Sequence, residues 1–342
     1  MKLSVLMPFR NAAATLPEAL STISKAALQC APIPIELVAV DHGSTDESKS
    51  CFNATIDEGY RTIIVDASRA ASLAEALELG RGYCEGKYIA RMDADDRMDS
   101  QRLRADMDYL DANQSASAVA CCIAPFSDQD EKPALPMYAA WQNRILSSAD
   151  IAAEVWVEQP FCHPATTFRA DALDKVGGYR HGNFPEDYDL FMRLYVAGEA
   201  LHKRPEVHHY WRQHQGQSTH NDPRYHRDAF ARVKARGLRD FFSLHERPFA
   251  IAGAGREGGR IARALGEIGL KPSWFFDVNK KKIGSVRLGI PVLSYDKLDE
   301  IRQDTPNLFC IGAVGTSGSA AILRNRFQMA GLVEGETFVR VA

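Results

Sequence analysis

Long hydrophobic runs are missing from this chain of 342 residues. A membrane-spanning helix needs ~18 or more consecutive apolar residues, and no such stretch occurs. The apolar run near the N-terminus, Leu3 to Met7, is too short for a secretory leader and reads as a first strand stopped by Pro8. A large excess of one charge is missing too: 41 Lys and Arg stand against 44 Asp and Glu, a net charge of -3. Nucleic-acid binding needs a basic face to neutralise phosphates, so no nucleic-acid partner is expected. The short run Lys280-Lys281-Lys282 reads as solvated surface. The seven cysteines are odd in number and, apart from adjacent Cys121-Cys122, widely scattered, which gives neither a disulfide framework nor metal-ligand spacing. Reduced thiols and a cytoplasmic location are expected, with peripheral contact at the inner face of a membrane left open. No Ser or Cys sits in a nucleophile motif.

What is present is ordinary for a soluble globular protein, 45% hydrophobic and 25% charged residues, in a length that suits two or three domains at ~150 residues each. Leu3 to Met7, Ile35 to Val40, Ile63 to Val65 and Tyr88 to Ala90 read as strands. Helices from Thr15 to Leu28, with Thr15 and Glu18 spaced as a capping box, and from Ser72 to Leu79 come between them. Gly80 and Gly82 should close the second helix. This alternation predicts an α/β fold with an open, mainly parallel sheet, whose ligands lie at the carboxyl ends of the strands. Asp41 falls at such an end, and so does the group Asp93-Ala94-Asp95-Asp96. Three carboxylates within four residues are poor core material but suit a hard divalent cation, Mg2+ or Mn2+, which keeps positions open for phosphate oxygens. Arg91 would balance this acidic loop.

Further along, Gln159-Pro160-Phe161-Cys162-His163-Pro164 should be a shaped loop, and Pro185-Glu186-Asp187-Tyr188-Asp189 should open a helix. The stretch His208 to Ser218 is basic and aromatic. His163 and His214 invite a ligand role beside the cation or remain structural, and Tyr210 and Trp211 are either ligand-stacking faces or core. A boundary at His245-Glu246-Arg247-Pro248 separates residues 1–246 from 247–342. The second part restarts as a strand, Phe249 to Ala252, followed by Gly253-Ala254-Gly255-Arg256-Glu257-Gly258 and a helix. In that setting the glycines suit a small Rossmann-like domain with a possible nucleotide on Gly253, Gly255 and Gly258 and an acid, Asp277, placed for a ribose hydroxyl. A third strand, Leu308 to Ile311, enters a second small-residue turn from Gly312 to Gly318.

Five segments, in order, make the first 240 or so residues resemble the family 2 glycosyltransferases of GT-A fold. They are Ser4 to Ala12 with its P-x-x-N turn, Val38 to Asp46 with its Asp-loop, Gly86 to Asp96, His163-Pro164 with Val176-Gly177-Gly178-Tyr179, and Glu186-Asp187-Tyr188-Asp189-Leu190. His42 departs from the Asp or Asn usual in that family, and Glu78 stands where related bacterial sequences often carry Asn. The resemblance implies inverting, metal-dependent transfer of a sugar from a nucleoside-diphosphate sugar to a sugar or lipid-linked acceptor, in surface polysaccharide or glycoconjugate synthesis. It implies donor contacts from Pro8, Arg10, Asn11, Asp41, Arg91 and Asp93, metal contacts from Asp95 with Asp93 and Asp96, and Asp187 as general base with Glu186 in reserve. His214 joins the metal candidates. Two rivals are a nucleotidyltransferase acting on sugar phosphates and an inactive sugar-nucleotide sensor. The first usually carries a glycine-rich phosphate loop near the first strand, and Phe9-Arg10-Asn11-Ala12 has no glycine.

Overall fold

The computed structural model describes residues 2–54, 59–128, 136–214, 222–315 and 318–342. Gln215 to Ser218 of the basic stretch, and Thr316 and Ser317 of the last turn, lie outside them. The chain divides into two compact units, one formed by Met1–Ser148 with Pro160–Asp222 and the other by Ala149–Gln159 with Pro223–Ala342. This differs from the division at 246/247. The helix Arg227–Phe241 belongs with the second unit because Phe241 and Phe242 pack on Trp156, with ring centroids 5.6 and 5.3 Å apart.

The first unit is built on an eight-stranded sheet. In chain order its strands are β1 (Leu3–Phe9), β2 (Ile35–Asp41), β3 (Tyr60–Asp66), β4 (Tyr88–Arg91), β5 (Arg97–Met98), β6 (Ala116–Phe126), β7 (Thr166–Arg169) and β8 (Ala200–Arg212). Their spatial order is β3-β2-β1-β4-β7-β6-β8-β5. The pairs β2·β3, β1·β2, β1·β4 and β6·β8 are parallel, whereas β7 and β5 run antiparallel to their neighbours. β1 and β2 are buried at every position, as strands covered on both faces must be. Register places Phe9 beside Asp41, Asp41 beside Asp66 and Leu6 beside Arg91, so the carboxyl ends of four strands share one edge. The expected mainly parallel α/β fold is the fold observed.

Helix α1 (Leu16–Leu28) forms as expected but not with the expected cap. Thr15 makes no side-chain cap; its hydroxyl donates instead to the carbonyl of Ala94, 3.1 Å away, and Glu18 pairs with Arg97. The acidic loop has recruited both residues of the would-be capping box. In α2 (Leu73–Arg81) Ser72 does cap, accepting from the N–H of Glu75, while Gly80 lies inside the helix and Gly82 caps its end. Residues His208 to Arg212 of the basic stretch end the long strand β8, whose residues alternate in burial too irregularly to announce a strand.

The second unit has a six-stranded sheet. Its strands are β9 (Phe249–Ala252), β10 (Trp274–Asp277), β11 (Val286–Arg287), β12 (Ile290–Ser294), β13 (Phe309–Gly312) and β14 (Phe338–Arg340), in spatial order β11-β12-β10-β9-β13-β14. All pairs are parallel except the hairpin β11·β12. Its core gathers Phe276, Phe327, Phe338, Leu308 and Tyr295.

Candidate active site

β4 ends where the chain turns through Asp93, Asp95 and Asp96, and one ligand atom from each of these carboxylates lies within 4.8 Å of the others. Two ligands across an octahedral Mg2+ are about 4.2 Å apart, so the three carboxylates need draw in only slightly to share such an ion. Asp93 and Asp95 show solvent a third or less of their side-chain surface, 33% and 29%, while Asp96 is buried. Asp96 is held from behind: its Oδ2 meets Nε2 of His209 at 2.8 Å and its Oδ1 accepts the N–H of Arg212 at 2.8 Å. Burial first, then repulsion from Asp95 and Asp93, pushes the Asp96 carboxyl well above its usual range; burial also raises Asp93. Crowded carboxylates of this kind are a fitting donor set for a divalent cation.

His214 stands 3.0 Å from Asp95 Oδ2, and that hydrogen bond raises its pKa above the ordinary histidine value. The cluster is clamped by a residue that the motifs do not announce. Arg212, buried, donates from Nε to the Asp95 carbonyl at 2.5 Å, reaches Glu18 at 2.5 Å and pairs with Asp128. Behind it Arg102 touches His209 Nδ1 at 3.1 Å and the Arg91 carbonyl at 2.9 Å. Only the pairing of β8 with β5 and β6 brings positions 209 to 212 to positions 95 and 96.

Arg91 pairs with this acidic group, and the second group lies apart on a helix. The Arg91 guanidinium contacts Asp93 at 2.7 Å, and although burial works against its charge, Asp93, Tyr179 and Glu186 outweigh that and hold it charged. Glu186 and Asp187 open helix α3 (Glu186–Val196), where carboxylates meet the positive end of the helix dipole. Glu186 is buried; Asp187 is partly exposed and takes the N–H of Tyr188 at 2.7 Å. His163 is buried and turned to the Tyr179 hydroxyl at 2.8 Å, and burial drives its pKa well down. Trp211 rests on the buried group of Cys121, Ile123, Ala139, Cys162 and Ala165, as a core residue does. Glu78 accepts the N–H of Tyr179 at 2.8 Å and pairs with Arg81. Gly178 sits at φ +60, and a Cβ there would fall 2.1 Å from that carboxylate, so Glu78 fills the space under the Gly178-Tyr179 turn.

On the other side of β1, the loop after β2 is tied to the turn after β1. Asn11, at φ +50, accepts the N–H of Thr45 at 2.8 Å and donates its own N–H to Ser44 Oγ at 3.1 Å. Pro8 is buried within β1 and Arg10 is exposed beside Asn11. Asp41 is buried; Ser44 N–H and the Lys49 ammonium, at 2.8 and 2.7 Å, outweigh that burial and hold its carboxyl below the usual range. A cleft of about 530 Å³ adjoins, lined among others by Asp66, Ser68, Arg69 and Glu75. His42 points to the Ala70 carbonyl, 3.1 Å away, at its rim.

In the second unit Gly253 takes φ +105, and a Cβ on Gly258 would fall 1.8 Å from the Gly253 carbonyl, so the glycines serve a tight strand-to-helix turn. Asp277 is spent on that turn: Oδ2 accepts from Ala254 N–H and Lys282, both at 2.9 Å, and Oδ1 from Asn279 N–H at 2.8 Å.

The family model for Glycosyl transferase family 2 matches residues 4–177. The chain is 27% identical over 172 residues to the amylovoran biosynthesis glycosyltransferase AmsE of Erwinia amylovora, covering 50% of this chain and 62% of that protein, less than two thirds of its length. It is 24% identical over 202 residues to the UDP-Gal:alpha-D-GlcNAc-diphosphoundecaprenol beta-1,3-galactosyltransferase of Escherichia coli, covering 58% of this chain and 69% of that one. Residues 1–349 of S. aureus TarS, solved in complex with UDP-GlcNAc, share the fold at a TM-score of 0.54 and 14% identity, over 78% of this chain and 72% of that one.

Proposed function

Because the chain belongs to glycosyl transferase family 2, we propose that it transfers a sugar, with inversion, from a nucleoside-diphosphate sugar to an acceptor hydroxyl in polysaccharide or glycoconjugate synthesis. The observation that carries this reading is the Asp93, Asp95 and Asp96 cluster at the shared strand edge, with Arg91 paired to Asp93. Asp93, Asp95 and Asp96, with His214, would hold Mn2+ or Mg2+, with Asp96 held in place by His209 and the Arg212 N–H. A bound cation would supply Lewis-acid stabilisation of the departing diphosphate.

The remaining roles belong to the chain's own groups. The Asn11 and Asp41 loops would cradle the nucleoside against Pro8, with the base toward the Arg69 cleft and Arg10 near the diphosphate. Arg91 would keep Asp93 ionised and oriented. Asp187 would take the proton of the acceptor hydroxyl, whose pKa far above neutrality calls for a positioned base. Glu186, buried at the start of the same helix, would orient that side of the site. The acceptor is proposed as a sugar or lipid-linked sugar. In the second unit, the turn at Gly253, Gly255 and Gly258 keeps a nucleotide-type shape, yet Asp277 is already saturated by its own loop, which favours a structural use of that turn.

The test is incubation with Mn2+ and a panel of nucleotide sugars. Release of nucleoside diphosphate supports the proposal, whereas release of pyrophosphate, or tight binding without turnover, overturns it. Asp187→Asn should then lower turnover by about 1,000-fold or more while donor affinity stays within a few fold.

A further inference from the structure

We infer that the β11·β12 edge of the second sheet is a docking surface for an anionic lipid bilayer. The short lysine run reads from sequence as solvated surface, but the fold sets it among exposed aliphatic side chains. Val278 and Val286 are each 69% exposed and Leu288 is 48% exposed, all within eleven residues. Soluble proteins expose such side chains singly; a cluster beside like charges is what an interfacial contact requires. Strand alternation puts Val286 and Arg287 on opposite sides of β11, and the Arg287 guanidinium lies against Gly259 of the helix Arg256–Glu267, while Leu288 follows in the turn to β12. Leu288 holds φ +52, a conformation in which glycine or asparagine is usual, so an apolar side chain is kept outward at some backbone cost.

The charge is one-sided. Residues 268–290 carry Lys271, Lys280, Lys281, Lys282 and Arg287 against a single acid, Asp277, which is buried and paired with Lys282. Lys280 and Lys281 are exposed on the turn that folds back on the hairpin through Gly284 N–H to the Val292 carbonyl, 2.8 Å. Lys271 brings its ammonium to the hairpin tip, 3.7 Å from where a Cβ on Gly289 would lie. Exposed cations interleaved with exposed aliphatics match a surface of anionic headgroups over hydrocarbon. A strand-adding protein partner fits less well, since β11 offers a ladder of only two residues.

The full chain should co-sediment with vesicles of phosphatidylcholine and phosphatidylglycerol in equal parts, and not with phosphatidylcholine alone, with affinity falling as salt rises. Lys280→Glu with Lys281→Glu should weaken that binding by about 30-fold or more, and Val278→Ser with Val286→Ser should weaken it severalfold at high salt, where charge is screened. An unchanged thermal midpoint would show that the variants still fold. Three outcomes each overturn the inference: binding that ignores both double variants, full competition by duplex DNA with the aliphatic variants silent, or self-association lost in Val278→Ser/Val286→Ser without any lipid binding. Because the readout is sedimentation, it stands or falls independently of sugar transfer.

Discussion

Arg212 shows how much of the site rests on a single side chain. Its backbone N–H, its Nε and its two terminal nitrogens reach Asp96, Asp95, Glu18 and Asp128. A buried charge-assisted bond of the kind made to the Asp95 carbonyl is worth about 1.5–3 kcal/mol, and those to the half-exposed Glu18 and Asp128 carboxylates are worth less because solvent screens them. Arg212→Met should therefore loosen the acidic loop and weaken Mn2+-dependent binding of nucleoside diphosphate by about 10-fold or more, measured by calorimetry at constant pH. Lys203 carries a different signature. Its ammonium donates to the carbonyls of Gln142 and Pro160, and burial lowers its pKa from 10.5 to about 8. Between those two values the unfolded chain keeps a proton that the folded chain has released, so this residue makes stability rise with pH across that window. Lys203→Met should flatten that part of the urea-midpoint curve relative to the parent, and lower the midpoint overall because two buried carbonyls lose their donor. Neither residue stands out in sequence, since what marks them is burial and partners more than 40 positions away.

At the scale of elements, the strands and helices that build the candidate site are the ones with plain periodicity. β1, β2 and β4 are short apolar runs ending in polar turns, and those signals survive without tertiary context. β8 and the capping of α1 are not legible in that way, because the acidic loop overrides local preference: Thr15 is taken by Ala94, and β8 is recruited by β6 along most of its length. Turns carry the clearest element-level tests. Gly178→Ala would force a left-handed alanine into the Glu78 carboxylate and should cost about 1–3 kcal/mol by chemical denaturation. Glu78→Ala in the same background should recover part of that loss, because the clash partner is gone.

For the molecule as a whole, the two units predict separable behaviour. Trp156 lies before the midpoint of the chain yet packs with Phe241 and Phe242, within the second unit. Trp156→Ala should cost about 3–5 kcal/mol. Hydrogen exchange should report the loss at residues 223–342 and leave residues 2–128 protected; equal loss in both would show that the chain opens as one body.

The sequence by itself determined the α/β class, the position of the acidic loop at a strand end, and the order of motifs that ties the first unit to its family. Those depend on local pattern, since period, turn chemistry and clustered carboxylates are written in neighbouring residues. Only the tertiary structure decided that Asp96 faces inward to His209, that Arg212 clamps the loop, that Glu78 belongs to the Gly178 turn and that residues 149–159 side with the C-terminal unit. Those facts come from pairings between distant segments, where burial chooses partners that no local spacing records.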